Sequence, residues 1–551
     1  MKRHLFLSLA LPVLLGCGKD PEPSTPPPPT QVKVKSIWLD NTTFETTEYG
    51  ASLRPEIRVV FTQPLLPSTV ASAIKFTDAG GAPVAHTYSL QKDDSVIIVK
   101  PIASLAGISK HFFRIDGTLK SASGGNFIST VDHTLITRID SSRKFPAISD
   151  NELLDKVQKQ TFAYFWDFGH PVSGLARERN TSGETVTSGG SGFGIMAIVT
   201  AIHRGFVTRA QGLERMQRIV TFLKDKAQTF HGAYPHWLNG TSGAVIPFST
   251  KDNGADLVET SFLVQGLLCA RQYFNDAGAM ETTLRNDINT IANRVEWSWF
   301  RKNNEDVLYW HWSPNYAWDM NHKIQGWNEC LVTYVLAAAS TNFGIPAPVY
   351  TSGYARGGGM QNGNHYYGYT LPLGEPWGGP LFFSHYSFLG INPNGLSDAY
   401  ANYRTQNENH TRINYTYCRS NSDFKGYSDS VWGLTASDIP GGYTASSPTN
   451  DRGVIAPTAA LSSFPYTPAE SMAALKFYYY VLGDKIWKTY GFTDAFSLKE
   501  PWFADSFLAI DQGPIIVMIE NYRSGLLWDL FTSCPEVKKG LRTLNFTAPY
   551  L

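Results

Sequence analysis

The sequence predicts a mainly α-helical protein, an (α/α)6 barrel preceded by a small all-β sandwich. The chain has 551 residues, which is too long for one small domain. Its hydrophobic period changes near Asn151, from short runs rich in β-branched and aromatic residues to helical spacing. Beyond that point, helices with a polar face alternate with helices of small and apolar residues, about six of each kind.

The first residues are typical of a bacterial export signal. Two basic residues precede an apolar run from Leu5 to Leu15, which is too short to span a bilayer. The run ends in the letters LLGC at Cys17, which resemble the lipobox of bacterial lipoproteins, where the cysteine is lipidated. Residues 18–31 are rich in proline and predict a semi-rigid linker. We therefore expect residues 1–17 to be a lipoprotein signal peptide, and the exported protein to be membrane-anchored in the periplasm or on the bacterial surface.

Residues 32–142 are predicted to form the β-sandwich. Short β-type segments such as EIRVVFT, SVIIVKP and KHFFRID are separated by glycine, proline, aspartate and serine. No pair of acids and no histidine cluster stands out in this region. It resembles the bacterial Ig-like domains found ahead of surface enzymes, and we interpret it as a spacer.

The helical region is predicted to span residues 150–540. Asn151 to Phe168, Arg209 to Gln228 and Met280 to Trp299 each have a polar face. The helices that are apolar on all sides are Ser191 to Ala201, Leu257 to Ala270, Leu331 to Ala339, Ile455 to Leu461 and Ile515 to Leu530. Because a helix that is apolar all round is buried, we expect these to form the inner ring of the barrel.

Polar loops precede the predicted inner helices. They are residues 187–192, 251–256, 326–329, 449–453 and 509–513. In a barrel whose inner helices run parallel, these loops lie at the same mouth. Carboxylates, amides and glycines from five separate segments would meet there, and this convergence predicts an enzyme.

Glu259 is the first candidate for a catalytic residue. It lies on an apolar helix, and a buried carboxylate needs a partner or a function. Glycoside hydrolysis uses two carboxylates, one of which is kept protonated by burial and donates a proton to the leaving oxygen. Asp256, three residues earlier, fits a helix N-cap. The candidates for the second carboxylate are Glu329, Asp438, Asp451 and Asp511.

Aromatic residues make up 13 % of the chain, with 14 Trp and 27 Tyr. Rings of this kind either fill a large core or stack on the apolar faces of sugars. The candidate substrate-binding residues are Arg177, Glu178, Asp256, His236, Trp237, Trp327, Glu329, Trp377 and Asp511. Other interpretations stay open, because the charged residues 177–179 also fit a surface cluster and Asp511 also fits a helix cap.

The charge balance gives no reason to expect a nucleic-acid or membrane partner, and the cysteine spacing gives no reason to expect a metal site. Lys+Arg and Asp+Glu both number 47, so nothing in the net charge favours nucleic acid or an anionic membrane surface. The cysteines other than Cys17 are Cys269, Cys330, Cys418 and Cys534, and their spacing matches no metal site. We expect buried thiols at Cys269 and Cys330, with a disulfide left open by export. No nucleotide fingerprint and no HExxH motif occurs, so we predict no cofactor, no metal and a monomer.

Seven stretches between about Glu152 and Leu530 resemble the glucoamylase-like bacterial family, glycoside hydrolase family 144. They are HPVSGLARERN, SGGSGFGIMA, DNGADLVETSFLVQGLL, GWNE, FKGYSDSVWGLTASD, DRGVIAPTAALSSFPYTPAES and IDQGPIIVMIENYRSGLLW. The resemblance implies an (α/α)6 barrel that hydrolyses β-1,2-glucan, either as an endo-glucanase or by exo release of sophorose, with inversion. It also implies that Glu259 is the general acid, and it leaves the base open between Asp451 and Asp438.

We therefore predict an exported hydrolase whose substrate is a β-1,2-glucan oligosaccharide or polysaccharide. Two alternatives stay open at this point. One is a surface glycan-binding lipoprotein without catalysis, which would keep the aromatic loops but would not need Glu259. The other is a hydrolase or a lyase of another polysaccharide, since lyases also use α/α toroids.

The lipobox predicts that Cys17 is the membrane attachment point. Replacing it, Cys17→Ala, is expected to move the protein from the membrane fraction to the soluble fraction without loss of activity, because no site candidate precedes residue 151. Fractionation and an activity assay of each fraction provide the measurement. A variant that stays with the membranes would contradict the lipobox interpretation.

Overall fold

The computed structural model of the protein describes residue 1, residues 28–421 and residues 426–551. The described chain forms two compact units, Met1–Asp140 and Ser141–Leu551. The predicted signal peptide with Cys17 and most of the predicted linker lie outside the described residues. In the described part of the chain, no helix is long and apolar enough to cross a membrane.

The first unit consists of two β-sheets with a hydrophobic core between them. Its elements are β1 Val34–Leu39, β2 Thr42–Thr43, β3 Thr47–Ala51, β4 Ile57–Phe61, α1 Pro67–Ala73, β5 Ile74–Asp78, β6 His86–Gln91, β7 Val96–Pro101, β8 Lys110–Ile115 and β9 Val131–Thr137. One sheet has the order β2-β1-β4-β7-β6 and the other β3-β9-β8-β5, in which β3 and β9 are parallel. The three β-type segments quoted from the sequence become β4, β7 and β8.

Alternation along the central strands explains which residues form this core. In β4, the side chains of Ile57, Val59 and Phe61 are buried, whereas Arg58 between them is exposed. Val59 lies opposite Ile97 of β7, which is also buried. One face of each strand therefore packs on the core, as the period of two in the sequence predicts.

The second unit is mainly helical, as predicted. Its helices are α2 Asp150–Trp166, α3 Ser188–His203, α4 Arg209–Asp225, α5 Leu257–Tyr273, α6 Ala279–Asn293, α7 Leu331–Ala339, α8 Tyr403–Ser420, α9 Pro457–Leu461, α10 Pro468–Tyr480, α11 Gly483–Ile486, α12 Ala509–Arg523, α13 Leu526–Ser533 and α14 Pro535–Thr543. Helices with an exposed face, such as α2, α4 and α6, alternate along the chain with the buried helices α3, α5 and α7.

Short strands and single helical turns connect these helices. The strands are β10 Thr185–Thr187, β11 Trp237–Asn239, β12 Val245–Ile246, β13 Ala255–Asp256, β14 Leu308–Tyr309, β15 His311–Trp312, β16 Lys323–Ile324, β17 His365–Tyr366, β18 Tyr369–Thr370, β19 Ala436–Ile439, β20 Gly442–Ala445, β21 Trp487–Lys488, β22 Gly491–Phe492, β23 Phe496–Ser497 and β24 Trp502–Phe503. The turns are the 3-10 segments Trp297–Arg301, Arg356–Gly358, Pro376–Gly378, Leu381–Ser384 and Ser387–Leu389, and the π-helical turn Val349–Tyr354.

Three sequence predictions about helix boundaries are wrong. Residues 509–513 are not a loop, because α12 already begins at Ala509. The segment Ile515 to Leu530 is not one helix, because Gly525 adopts a left-handed backbone (φ 74°) that separates α12 from α13. The run Gly189–Gly192 is not a loop, because α3 already begins at Ser188.

Helices α3 and α5 pack backbone against backbone. A Cβ atom at Gly192 would lie 2.2 Å from the carbonyl oxygen of Phe262, and one at Gly266 would lie 2.1 Å from the carbonyl oxygen of Gly192. Any larger residue at either position would push the two helices apart, which is why glycines occupy a helix they would otherwise destabilise.

The four cysteines of the helical unit, Cys269, Cys330, Cys418 and Cys534, are free and buried. This agrees with the expectation of buried thiols.

The segment before α2 belongs to the helical unit. The Phe145 ring stacks on Tyr479 with centroids 4.6 Å apart, and the backbone N–H of Ile148 donates to the Tyr480 hydroxyl at 3.0 Å. Ser149 and Glu152 form a capping box at the start of α2. Residues that precede α2 therefore contribute to the stability of the helical unit.

We expect the helical unit to fold without the β unit, and its stability to depend on where the chain is cut. A protein that begins at Ser141 keeps the Phe145 stacking and the Ser149 cap, whereas one that begins at Asn151 loses both. The loss is expected to cost roughly 1.5–2.5 kcal/mol, from about 1 for the cap and about 0.5–1.5 for the aromatic pair. Melting temperatures of the two truncated proteins, followed by circular dichroism, provide the measurement. Equal melting temperatures would contradict this account.

Candidate active site

Glu259 lies in the first turn of α5 and faces the first turn of α3. Its side chain is buried, with 7 % of the residue exposed. The backbone N–H of Gly189 donates to Glu259 Oε2 at 2.8 Å, and the Thr187 hydroxyl lies 3.4 Å from the same oxygen. Burial raises the pKa of Glu259 above its usual value, although the charge of His236 opposes the shift. The carboxyl group is therefore anchored through one oxygen and biased towards its protonated form.

Asp256 caps α5, as predicted. Its Oδ1 accepts from the backbone N–H groups of Val258 and Glu259 at 3.0 and 2.9 Å. Its Oδ2 accepts from His236 Nδ1 at 3.1 Å. Burial opposes ionisation of Asp256, but the hydrogen bond from His236 and the nearby histidine charges lower its pKa. The cap and the ion pair together keep Asp256 ionised beside Glu259.

His236 and Asp252 complete this acidic group. Burial lowers the pKa of His236, but the charges of Glu259, Asp256 and Asp252 outweigh it and raise the pKa to about 9. Burial and the charge of Asp256 raise the pKa of Asp252 to about 7. A protonated imidazole is thus held among three carboxyl groups and offsets part of their charge.

His236, Asp252 and Asp256 are also a group that could hold a metal ion, since one ligand atom from each lies within 4.8 Å of the others. In the structure, two of the three form an ion pair, with His236 Nδ1 3.1 Å from Asp256 Oδ2.

Glu329, in the turn before α7, faces the same group. Burial raises the pKa of Glu329 to about 7, and the charges of Glu259 and Asp256 add to the shift. The structure therefore brings together three of the sequence candidates, Glu259, Asp256 and Glu329.

A second acidic group surrounds Asp438 in β19. The Ser506 hydroxyl donates to Asp438 Oδ2 at 2.5 Å, and Arg179 Nη1 donates to the same oxygen at 3.3 Å. Arg179 also donates to Glu178 at 3.0 Å. Asp438 is thus paired with a cation, in a charge-assisted contact with Arg179.

Two further acids lie behind Asp438. The backbone N–H of Asp438 donates to Asp494 Oδ2 at 2.7 Å. Burial raises the pKa of Asp494 to about 7, and burial together with the charge of Asp494 raises the pKa of Asp511 well above its usual range. Both carboxyl groups are buried and interact, so ionisation of either one opposes ionisation of the other. Asp511 is therefore part of a buried acid pair and not the N-cap residue of α12, which is Leu508.

The buried phenol of Tyr386 lies between the two acidic groups. Burial raises the pKa of Tyr386 well above its usual value, and the charges of Asp511 on one side and of Glu329 and Glu259 on the other contribute. Tyr443 marks the open side of the second group, with 48 % of the residue exposed. Desolvation of its phenol, and then the charges of Asp511, Asp494 and Asp438, raise its pKa. The two acidic groups therefore belong to one cleft.

A cavity of about 620 Å³ continues this cleft on the side of Asp438. Its walls include Arg179, Asp438, Tyr443, Trp502 and Ser506. A larger cavity of about 1060 Å³ lies against α2 and contains none of these acids, so the smaller one is the candidate for substrate.

Asp451 lies in a different environment from Asp438. Its Oδ1 accepts from the Tyr427 hydroxyl and the Gly453 backbone N–H, each at 2.8 Å, and its Oδ2 accepts from the Tyr417 hydroxyl at 3.2 Å. Burial raises the pKa of Asp451. Both of its oxygens are thus held by neutral donors.

Trp377 shares a wall with this group. Its ring packs against Tyr366, Tyr367 and Tyr417, and its backbone is left-handed with φ 67°. A tryptophan in this conformation costs of order 1–3 kcal/mol and persists only where its surroundings hold it. The arrangement fits a ring that is held in place for a ligand.

Of the remaining predicted substrate-binding residues, Trp237 lies beside the first acidic group, whereas Trp327 and Arg177 make structural contacts. Trp237 packs against Phe248 beside His236, on the side of the first acidic group. Trp327 is only 6 % exposed and packs against Phe388 and Tyr403, which favours a role in the core. Arg177 donates to the carbonyl oxygens of Gly183 and Phe168 and so fastens a loop.

Several site residues were not found from the sequence. Arg179, and not Arg177, reaches Asp438. Tyr386, Asp494 and Ser506 lie outside the stretches that resemble the family, and only their position in the fold brings them to the cleft. The one available indication was Asp494, because it is an acid inside the apolar, aromatic run Gly491–Phe496.

The contact between Gly189 and Glu259 gives a testable prediction. A Cβ atom at Gly189 would lie 2.4 Å from Glu259 Oε2, so Gly189→Ala has to displace the carboxyl group. We expect a loss of about 1–3 kcal/mol in unfolding free energy, the usual range for an overpacked interior. Gly278→Ala is the control, since a Cβ atom there meets nothing within 4 Å. Calorimetry that finds the two variants equally stable would contradict this geometry.

Comparison with known proteins agrees with both units. Residues 321–535 match the family model described as "Putative glucoamylase", and residues 30–135 match the model of a bacterial Ig-like domain. The chain is 46 % identical over 446 residues to an exo β-1,2-glucooligosaccharide sophorohydrolase (non-reducing end) of Parabacteroides distasonis. That match covers 76 % of this chain and 61 % of the relative, so the chain spans less than two thirds of that protein's length.

Two solved structures are similar as well. An endo-β-1,2-glucanase from Chitinophaga pinensis, in complex with sophorotriose and glucose, is 53 % identical, with a TM-score of 0.72; the match covers 74 % of this chain and 100 % of that one. A β-1,2-glucanase from Parabacteroides distasonis is 37 % identical, with a TM-score of 0.70, over 95 % of this chain and 74 % of that one. The chain therefore belongs to the glucoamylase-like family, glycoside hydrolase family 144, and carries a bacterial Ig-like domain at its N-terminal side.

Proposed function

We propose that the protein hydrolyses β-1,2-glucan by an inverting mechanism. The observation that carries the proposal is the pair of acidic groups around Glu259 and Asp438, which both lie near the phenol of Tyr386. One group contains Glu259, a buried carboxyl with a raised pKa, and the other contains Asp438, which is paired with Arg179. Acid and base catalysis of glycoside hydrolysis uses two carboxyl groups with different environments of this kind. The two relatives whose names include β-1,2-glucan hydrolysis support the choice of substrate.

Glu259 is the general acid in this proposal. Its Oε2 is anchored by the Gly189 N–H, and Oε1 makes no hydrogen bond to any described residue, so Oε1 can carry the proton. When the bond between the anomeric carbon and the glycosidic oxygen breaks, this proton passes to the leaving oxygen. Burial raises the pKa of Glu259 and so favours its protonated form, which is the property that a general acid needs.

Asp438 is the general base that the geometry favours. It takes one proton from a water molecule, whose oxygen then attacks the anomeric carbon from the opposite face. Asp438 lies near Asp511, and Asp511 and Glu259 both lie near the phenol of Tyr386. Asp438 also lines the cavity. Asp451, the other candidate, is surrounded by Tyr417 and Tyr427 instead.

For the fold, we propose the (α/α)6 barrel expected from the sequence. The alternation of exposed and buried helices supports it, and so does the packing of α3 between α5 and α12. The starts of α3, α5, α7 and α12, with the segments before them, supply Gly189, Glu259, Glu329 and Asp511. This is the arrangement expected when parallel inner helices open at one mouth.

We also propose that the protein is exported, anchored through Cys17 and monomeric. The support is the sequence of residues 1–31, with its apolar run, lipobox and proline-rich linker. An anchored enzyme of this kind would act on glucan outside the cytoplasm.

A glucan panel tests the substrate. We expect the full-length protein to release products from β-1,2-glucan and not from other glucans, with chromatography separating sophorose from longer oligosaccharides. Products with an unsaturated, ultraviolet-absorbing end would identify a lyase. Binding without any product would identify a glycan-binding protein.

Three isosteric variants test the mechanism. Glu259→Gln keeps the shape of the side chain but cannot act as an acid, so turnover of β-1,2-glucan should fall by roughly 10²–10⁴-fold. If Asp438 is the base, Asp438→Asn should lose a comparable factor and Asp451→Asn should lose less. The reverse order would transfer the role of base to Asp451. Melting temperatures of the three variants serve as the control for folding. A Glu259→Gln protein that turns over at the parent rate would remove Glu259 from the mechanism.

A further inference from the structure

An exposed tryptophan lies on the surface near the cleft, and no role has yet been assigned to it. Trp299, in the 3-10 turn Trp297–Arg301, is 42 % exposed. A cavity of about 410 Å³ is lined by this ring together with Glu296, Ser298, Asn303, Asn304 and Phe343. A cavity that combines an aromatic ring with a few polar groups has the kind of lining that small-molecule sites have.

The ring is held in place from behind. The His231 imidazole stacks on Trp299 with ring centroids 3.9 Å apart and an interplanar angle of 14°. His231 is itself fixed by a contact of 2.9 Å between its Nδ1 and Glu296 Oε2. The indole is therefore preorganised, and a ligand that stacks on it does not have to order it.

The chemistry of the cavity suits a neutral sugar. The side-chain amides of Asn303 and Asn304 form no hydrogen bond to any described residue, and the left-handed backbone of Lys302, Asn303 and Asn304 shapes the turn that carries them. Amides and a serine hydroxyl can bind sugar hydroxyls, and an indole face can stack on a pyranose. The Glu296 carboxylate would repel an acidic sugar, and the nearby Lys302 ammonium donates to Asn321 instead.

Ring contacts connect this cavity to the active site. His231 meets Trp312 edge to face, with centroids 5.0 Å apart. Trp312 pairs with Ala255 in the sheet of β13 and β15, where His311 lies opposite Asp256. His311 Nε2 in turn lies 3.4 Å from Asp252 Oδ2. A line of rings therefore leads from the first acidic group to the exposed face of Trp299.

We propose that Trp299 is a distal subsite for the same β-1,2-glucan chain that the cleft cleaves, where it stacks on a glucosyl unit beyond the reacting ones. This rests on the proposed function for the identity of the glucan. The subsite engages only chains long enough to reach it, so it increases the affinity for long glucans and leaves short oligosaccharides unaffected.

Trp299→Ala tests this subsite by comparing substrates of two lengths. Truncation of an aromatic anchor typically weakens binding by about fivefold or more, so the KM for polymeric β-1,2-glucan should rise by that factor. The KM for the shortest oligosaccharide that is cleaved, and kcat for both substrates, should not change. Trp299→Phe keeps a ring and should recover a large part of the loss. Tyr522→Ala is the control, because Tyr522 is 44 % exposed and lines a different cavity.

An equal change for long and short substrates, or no change for either, would overturn the subsite. Migration in a native gel that contains β-1,2-glucan measures binding without turnover. It therefore separates loss of the subsite from failure of the proposed hydrolytic function. If the parent protein releases no product, retardation that Trp299→Ala loses and Tyr522→Ala keeps still supports a glucan site at Trp299. Equal migration of all three proteins overturns it.

Discussion

The close approach of α3 and α5 is the constraint on which the candidate site depends. Gly192 and Gly266 let the two backbones touch, and this contact brings the N–H of Gly189 to the carboxyl group of Glu259. A wider separation would leave that carboxyl group in contact with water and return its pKa towards the ordinary range. Helix packing, and not any single catalytic motif, therefore sets the protonation state of Glu259.

Cationic partners offset the free-energy cost of burying the carboxylates around this contact. The first group balances Asp256 with a protonated His236, and the second balances Asp438 with Arg179. Burial raises the pKa values of two other acids, Glu329 and Asp494, to about 7. Carboxyl groups with raised pKa values thus lie in the same cleft as carboxyl groups paired with a cation, which is the arrangement that acid and base catalysis uses.

The sequence predicted the helical class, the β unit and Glu259, because these depend on local periodicity and on one acid in an apolar helix. It missed the break at Gly525 and assigned Gly189 to a loop, because helix propensity does not register packing between distant segments. It also missed Arg179, Asp494 and Tyr386. Each of these acts through a partner at least 100 residues away in the chain or through a neighbouring charge, and spacing in the sequence carries no trace of such partners.

The central claim is that burial between α3 and α5 keeps Glu259 protonated where ordinary glutamates are ionised. Carbon-13 spectra of protein with labelled glutamate carboxyl groups, recorded across pH and compared with Glu259→Gln to assign the resonance, measure this directly. We predict that the Glu259 resonance titrates well above the usual pKa of 4.5. A Glu259 carboxyl group that ionises at or below that value would contradict the account.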